Sequence, residues 1–327
     1  MISDIYFDPA YGKLCEKDET GKTVYWTYSG PEGEVIHQFI LRKIPGGFSE
    51  DWFDIITPYG YGGPLIQTLT EGYERKQLVD AFAKAFGQYC YDHNIVSEFV
   101  RFHPLLNNAD DFGSVYEVLF NRHTLGTNLK DYHDPVAIEF SKSCRKTVRQ
   151  ALNKGVSWRI TRSPQNLEKF KKIYYATMDR NSAGEYYYFG DAYFEECLHG
   201  LKENIILVEA IYCGETIAAG LYFTFHKTIH AHLSGTLTEF LELSPAYILK
   251  YSTVLWGKEN GYELIHYGGG KSTDPQDSLY KFKEKFAQTT KFDFYVGKKI
   301  WNREMYDKLC SLQNKTGVQS FFPAYRA

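Results

Sequence analysis

Apolar and polar positions alternate over short stretches in the first third of the chain. KTVYWTYS (22–29), EVIHQFILRKI (34–44) and FDIITPY (53–59) are rich in β-branched and aromatic residues. Gly30-Pro31-Glu32-Gly33 and Pro45-Gly46-Gly47 punctuate them, so the pattern predicts strands joined by turns. The period then changes. In ERKQLVDAFAKAFGQYCYDHN (74–94), Leu78, Phe82, Phe86 and Tyr89 recur at helical spacing and form one apolar stripe. Strands follow at SEFVRFHPL (97–105) and VYEVLFNRHTL (115–125).

At Ser141 the pattern starts again. SKSCRKTVRQALNKG (141–155) predicts a basic helix closed by Gly155, VSWRITRS (156–163) a strand and NLEKFKKIYYATMDRN (166–181) a helix. The segment 205–236 reads as strands turned at Cys213-Gly214-Glu215 and near His226-Lys227. SPAYILKYSTVLWGKENG (244–261) carries helix signals: Ser244 as N-cap, Pro245 in the first turn and Gly261 past the end. Strands ELIHY (263–267) and FDFYVG (292–297) and a closing segment, 301–313, complete the chain. Two α/β (or α+β) units of mixed sheet flanked by helices are the economical reading, over 1–140 and 141–300, with a helix and tail at 301–327 packing back on the first unit.

Composition narrows the function classes. A chain of 327 residues, 43% hydrophobic, with no apolar run near the ~20 residues that cross a bilayer, predicts a cytoplasmic protein without a membrane span. The six cysteines show no C-x-x-C pair, and no histidine cluster accompanies them, so neither a disulfide framework nor a metal site is expected. A net charge of −3 argues against a DNA-coating surface. Locally the balance differs: between Ser141 and Leu167 stand Lys142, Arg145, Lys146, Arg149, Lys154, Arg159 and Arg162 and no acid. Such a run suits a polyphosphate or an RNA backbone, or a solvated helix face; Arg145 and Arg149, one turn apart, are the best pair for an anion. His232 and Ser234, two apart on a strand, are expected to face one way, the histidine as a proton acceptor or as a satisfied core group.

YGGGKSTDPQDSLYKFKEKF (267–286) imitates a phosphate loop. That motif needs a glycine where Ile265 stands, and Asp274-Pro275 breaks the helix that should follow. A nucleotide hydrolase dependent on Lys271 is the outlying alternative.

The chain is similar to the Fem family of peptidoglycan-bridge aminoacyltransferases and to related N-acyltransferases built from two GNAT-like domains. The resemblance rests on Tyr59-Gly60-Tyr61-Gly62-Gly63-Pro64, Arg101-Phe102-His103-Pro104-Leu105, the helix 143–151 ending at Gly155, His232-Leu233-Ser234-Gly235, and Tyr267-Gly268-Gly269 with Leu279-Tyr280-Lys281-Phe282-Lys283 and Phe286. It implies an N-acyltransferase with a cleft between two tandem GNAT-like domains. Phe282 and Lys283 are then expected at the transfer centre, with Lys283 stabilising the oxyanion, His232 a candidate base, and Gly268 and Gly269 lining the wall. Tyr59, Tyr61, Arg101, His103, Arg145, Arg149 and Ser234 are the expected substrate contacts. No tightly bound cofactor is implied; the donor is aminoacyl-tRNA or acyl-CoA, and the acceptor an amine of a nucleotide-linked cell-envelope precursor, as in peptidoglycan synthesis. The stretch GTLTEFLELSPA (235–246) lacks the glycines that hold coenzyme A pyrophosphate at a helix start. Two alternatives stay open: an acyl-CoA-dependent N-acetyltransferase of polysaccharide biosynthesis, and a catalytically silent two-domain binding protein.

Overall fold

A computed structural model describes residues 3–16, 19–46, 49–313 and 321–327. Gly47 of the expected Pro-Gly-Gly turn and part of the 301–327 tail lie outside the described residues. The chain divides into two compact units, Met1–Asn121 with Asp293–Ala327, and Arg122–Phe292. These divisions, at 121/122 and 292/293, differ from the 140/141 and 300/301 boundaries read from the sequence. The pattern restarts at Ser141 because a helix begins there, but the preceding strand is already hydrogen-bonded within the second unit.

The first unit opens with α1 (Pro9–Leu14), β1 (Lys22–Gly30), β2 (Gly33–Lys43), β3 (Phe53–Ile56) and β4 (Leu65–Leu69), followed by α2 (Arg75–Asp92), β5 (Ile95–Arg101) and the single turn α3 (Asn108–Asp111). Helix α2 starts where the pattern places it, with Glu74 and Gln77 forming a reciprocal capping box. Its predicted stripe is real: Leu78, Phe82 and Phe86 are fully buried and pack with Val35, Phe39, Ile55 and Val100 of the sheet. Short α1, α3 and β4 carry no periodicity long enough to be read in advance.

Strand β6 (Glu117–Asn128) leads to α4 (Pro135–Glu139), α5 (Lys142–Asn153), β7 (Ser157–Arg162), α6 (Glu168–Arg180), α7 (Asp191–Gly200), β8 (Ile205–Tyr212), β9 (Glu215–Phe225), β10 (Thr228–Thr236), α8 (Pro245–Glu259), β11 (Leu264–Gly268) and α9 (Ser278–Glu284). The second-unit sheet runs β6-β11-β10-β9-β8-β7 and is antiparallel except for β10 and β11, which run parallel. One tight hairpin uses Cys213 and Gly214, both at positive φ (48° and 82°), as a two-residue turn of matching twist requires. Helix α5 buries Cys144, Val148 and Ala151, four and three residues apart, and exposes Lys142, Lys146 and Arg149. Ser141 caps it by accepting from the Cys144 amide at 3.2 Å. The expected cap of α8 is different: Ser244 occupies the N-cap position but sits in left-handed backbone (φ 54°) and makes no side-chain cap bond.

The chain returns to the first unit through β12 (Lys291–Ile300) and α10 (Arg303–Leu312). The first-unit sheet then runs β1-β2-β3-β5-β12, with β4 beside β2. Tyr306, Leu309, Ala324 and Tyr325 pack on Ile44 and Val96 of this unit. Among the described residues, no helix is long and apolar enough to cross a membrane.

Candidate active site

β10 and β11 pair over only three positions: Thr228–Leu264, Ile229–Ile265 and His230–His266. Beyond them β10 continues against β9 to Thr236, with a bulge between Ala231 and Leu233. β11 continues against β6 to Gly268, with a bulge between His266 and Gly268. Each strand keeps its outer neighbour while the ladder between the two stops, and bulges re-aim side chains where pairing ends. Where pairing in the middle of a sheet stops, the backbone donors and acceptors beyond that point must find other partners.

The loop after β11 explains the glycine run. Asp277, the N-cap of α9, accepts from the amides of Lys271 and Ser272 at 3.0 Å each and from Tyr280 at 2.9 Å. The loop does hold an anion, and that anion is the protein's own carboxylate. Burial works against its ionisation, but the amides of Tyr280 and Ser272, the Ser272 hydroxyl and the Lys271 amide outweigh burial and keep the carboxyl below its usual range. A side chain at Gly270 would meet the Asp277 carboxylate at 2.6 Å, and one at Gly269 would meet Arg122 at 2.9 Å and the His123 carbonyl at 3.1 Å. Glycine is therefore demanded by packing. Because Asp277's folded value is depressed, its stabilisation is full above the ordinary carboxylate range and is lost as pH falls through that folded value. Asp277→Ala is expected to cost about 1–2 kcal/mol and to speed amide exchange at Lys271 and Ser272; unchanged exchange there would contradict this account of the loop.

The loop delivers the predicted Phe-Lys pair. Phe282 is half-buried against Tyr247 and Phe286, with ring centroids 5.4 and 5.1 Å away. Lys283 is half-buried overall, with its Nζ donating to the Gly269 carbonyl at 2.6 Å. Burial lowers its pKa to about 8; Asp277 partly offsets this, and Arg122 adds to it. At neutral pH it is still an ammonium. Such a group has three donors, one of which is spent on Gly269.

A second lysine, not singled out by the motifs, lies nearby. Lys250 of α8 is only 7% exposed, on the stripe with Thr253, Val254 and Gly257. Its Nζ sits 4.7 Å from the ring centroid of Tyr267 and 5.1 Å from that of Tyr222, and 3.4 Å from the Tyr222 hydroxyl. No carboxylate pairs with it among the described residues. Burial pushes its pKa down to about 7, and the charge of Lys283 adds to the fall. The signal was present in the sequence as a lysine within an apolar helical stripe.

The other expected residues fall in separate surroundings. His232 occupies the β10 bulge, so simple alternation does not relate it to Ser234: the histidine is half-buried and the serine exposed. Its Nε2 is hydrogen-bonded to the Tyr193 hydroxyl and its ring lies 4.4 Å from Phe223. Burial, with His230 adding, pushes its pKa down to about 3, so the ring is neutral at pH 7. A side chain at Gly235 would collide with the Ile173 carbonyl at 2.5 Å, which accounts for that glycine by close approach of α6. The Arg145–Arg149 pair is divided: Arg145 donates to the carbonyls of Ala137 (2.8 Å) and Phe140, and Arg149 is exposed.

In the first unit, Tyr61 is half-buried, its ring 5.3, 5.8 and 5.1 Å from those of Tyr6, His103 and Phe294. The carbonyl of Tyr59 accepts from the Tyr11 hydroxyl at 2.7 Å. His103 is buried; Nδ1 accepts from the Leu105 amide and Nε2 lies 3.4 Å from Asp4. Arg101 donates to the Thr57 carbonyl at 2.9 Å. Asn108 fixes the YGYGGP turn by donating to the carbonyls of Gly62 and Pro64.

The acetyltransferase (GNAT) domain family matches residues 139–284, all within the second unit and spanning the β10–β11 break, Lys250 and Lys283. No curated protein matches the chain in sequence. Among solved structures it is similar to FemX at 13% identity, covering 93% of this chain and 94% of that one with a TM-score of 0.69. It is also similar to the C-terminal domain of a provisionally assigned lysylphosphatidylglycerol synthetase from Agrobacterium fabrum (11% identity, 95% and 94% covered, TM-score 0.57) and to L-PGS from Bacillus licheniformis (12%, 95% and 98%, 0.54). At such identities the likeness establishes a shared fold. The second unit thus carries a GNAT acetyltransferase domain over 139–284, and the chain shares the fold of FemX along nearly its whole length.

Proposed function

We propose that this acyltransferase forms an amide by moving an aminoacyl group onto an amine of a nucleotide-linked cell-envelope precursor in the cytoplasm. One observation carries the reading: an ammonium held at 2.6 Å on the glycine turn that follows the interrupted β10–β11 ladder. Amide formation needs the amine placed against an activated carbonyl and a fixed positive charge where the oxyanion develops. Lys283 is assigned to that oxyanion, one N–H on Gly269 keeping it aimed and two others meeting the oxygen. Phe282, wedged between aromatic rings, sets the position of Lys283. Gly268 and Gly269 supply the wall.

An aminoacyl-tRNA donor is favoured by what stands before α8. There the backbone forms a 3-10 turn over Thr238–Leu243 with Glu239 and Glu242 exposed, a poor cradle for pyrophosphate. The names of the neighbours, FemX and a lysylphosphatidylglycerol synthetase, agree with aminoacyl chemistry. Against it, the acetyltransferase character of the matched domain supports acyl-CoA as the second reading. Incubation with charged tRNA or acetyl-CoA and a mixed pool of UDP-linked amino compounds decides between them. A mass gain of one aminoacyl residue on an acceptor is expected; acetyl gain alone would reassign the donor, and thermal stabilisation by acceptor without product would make the protein a binder.

A further inference from the structure

We propose that Lys250 is the proton acceptor of the transfer reaction, taking the proton of the attacking amine by direct contact or through one water. This rests on the acyl-transfer reading above and names a residue for it. The geometry begins with burial: a lysine only 7% exposed, its amine held over two tyrosine rings, with a single long hydrogen bond to a hydroxyl and no carboxylate partner among the described residues. A lysine placed for structure is normally paired or reaches water, because burying an unpaired ammonium is costly. This one does neither.

The tyrosine rings beneath Lys250 Nζ attract an ammonium, but the other groups that face it bring no close negative charge to hold one. From β9 and β11 come the hydroxyls of Tyr222 and Tyr267, both held well above their ordinary range by burial, so neither supplies an anion. From α9 comes the ammonium of Lys283. Behind Tyr267 lie Cys144 of α5, whose thiol burial raises to about 12, and Glu139 of α4, whose carboxylate accepts from the amides of Asn128 and Thr289. Burial, with the charge of Lys283 adding to it, lowers the proton affinity of Lys250 below that of Lys283, so Lys283 serves as cation and Lys250 as base. His232 is the less capable base, because burial and its histidine neighbour leave it little affinity for a proton at neutral pH.

The step balances without a further reagent. The amine nitrogen forms the new C–N bond at the acyl carbon, and its surplus proton passes to the lone pair on Lys250 Nζ. As the tetrahedral intermediate collapses, the bond from that carbon to the donor's oxygen or sulfur breaks. The departing atom takes the proton, and Lys250 returns to neutral. Lys283 stays an ammonium throughout.

Lys250→Met and Lys250→Arg, made in the full chain, test the role. Both are expected to lower kcat by about 10²–10³-fold, the range of general-base loss, and to remove the rising limb of the rate profile near pH 7; arginine keeps the charge but cannot give up its proton. Stability supplies a readout that a structural role moves the other way. With a folded pKa near 7 against an ordinary 10.5, the unfolded chain binds more protons between those values, so this lysine costs stability in full below about pH 7 and not above 10.5. Lys250→Met is therefore expected to melt higher than the parent at pH 7, with the gap closing toward pH 10.5. If the parent makes product and Lys250→Met keeps more than half its rate, this role fails and the transfer reading stands. A variant that melts lower at pH 7 also overturns the role. If the parent makes no product from any donor, the transfer reading fails and takes the role with it.

Discussion

Lys283→Ala is expected to reduce turnover by about 10²–10³-fold, the usual cost of removing one oxyanion donor, while the acceptor's Kd moves by less than about threefold. The two effects separate because, in the proposed role, the charge opposite Lys283 exists only as the carbonyl oxygen becomes anionic, so ground-state binding has little to lose. Folding should not suffer. Burial has already lowered this lysine to about 8, which means its charge is held at a cost that alanine relieves. In the proposed role, loss of Lys283's proton is also expected to set the falling limb of the rate profile. With Lys250 neutral above about 7 and Lys283 charged below about 8, activity is expected in a narrow bell between them, the two lysines titrating as a coupled pair. Lys283→Arg retains the charge but offers a planar fork where Gly269 accepts a single short bond, so only partial recovery is expected. Rates for Lys283→Ala within twofold of the parent would remove this lysine from the mechanism.

The largest stability effect is expected at Glu98→Ala, about 3–5 kcal/mol, as for other buried charges whose partners are stranded. Glu98 is 1% exposed and gathers the first unit around one carboxylate. His37 Nε2 of β2 lies 2.6 Å away, the Tyr116 hydroxyl donates at 3.1 Å and the Trp301 indole at 3.0 Å. Alanine leaves all of these groups buried without an acceptor, and each stranded group costs its own desolvation. A fall in Tm of roughly 10 °C follows from the usual 2–4 °C per kcal/mol at this size. Glu98→Gln, which keeps one acceptor oxygen, should lose less than half as much. Urea unfolding of the two variants measures the difference, and a loss under 1 kcal/mol for alanine would show that water replaces the carboxylate.

Long periodic elements were legible before any coordinates, because periodicity reports which face is buried. Helix α2 starts where the pattern places it and buries the stripe read for it, and helix α5 forms over the predicted basic segment. The short pieces were not, since α3 and β4 span 4 and 5 residues and their places follow from contacts distant in sequence. The loop at 268–277 shows the limit most plainly. Its glycines were visible, but the reason for them, the Asp277 carboxylate turned back onto the Lys271 and Ser272 amides, is a contact across six residues that composition does not announce. His232 shows another: alternation presumes an unbroken strand, and β10 bulges at that residue. Lys250 was hidden because motif reading looks for spacing between chemical groups, whereas its chemistry comes from apolar surroundings assembled by α8, β9 and β11.

The account turns on whether a cationic and a neutral lysine in the second unit run amide formation. Mass measurement of an amino acceptor after incubation with charged tRNA or acyl-CoA, using parent protein and Lys283→Ala side by side, tests it most directly. Acceptor heavier by one acyl group with the parent, and nearly none with the variant at matched melting temperature, is the predicted result. Equal product from both proteins, or none from either donor across the acceptor panel, would contradict it.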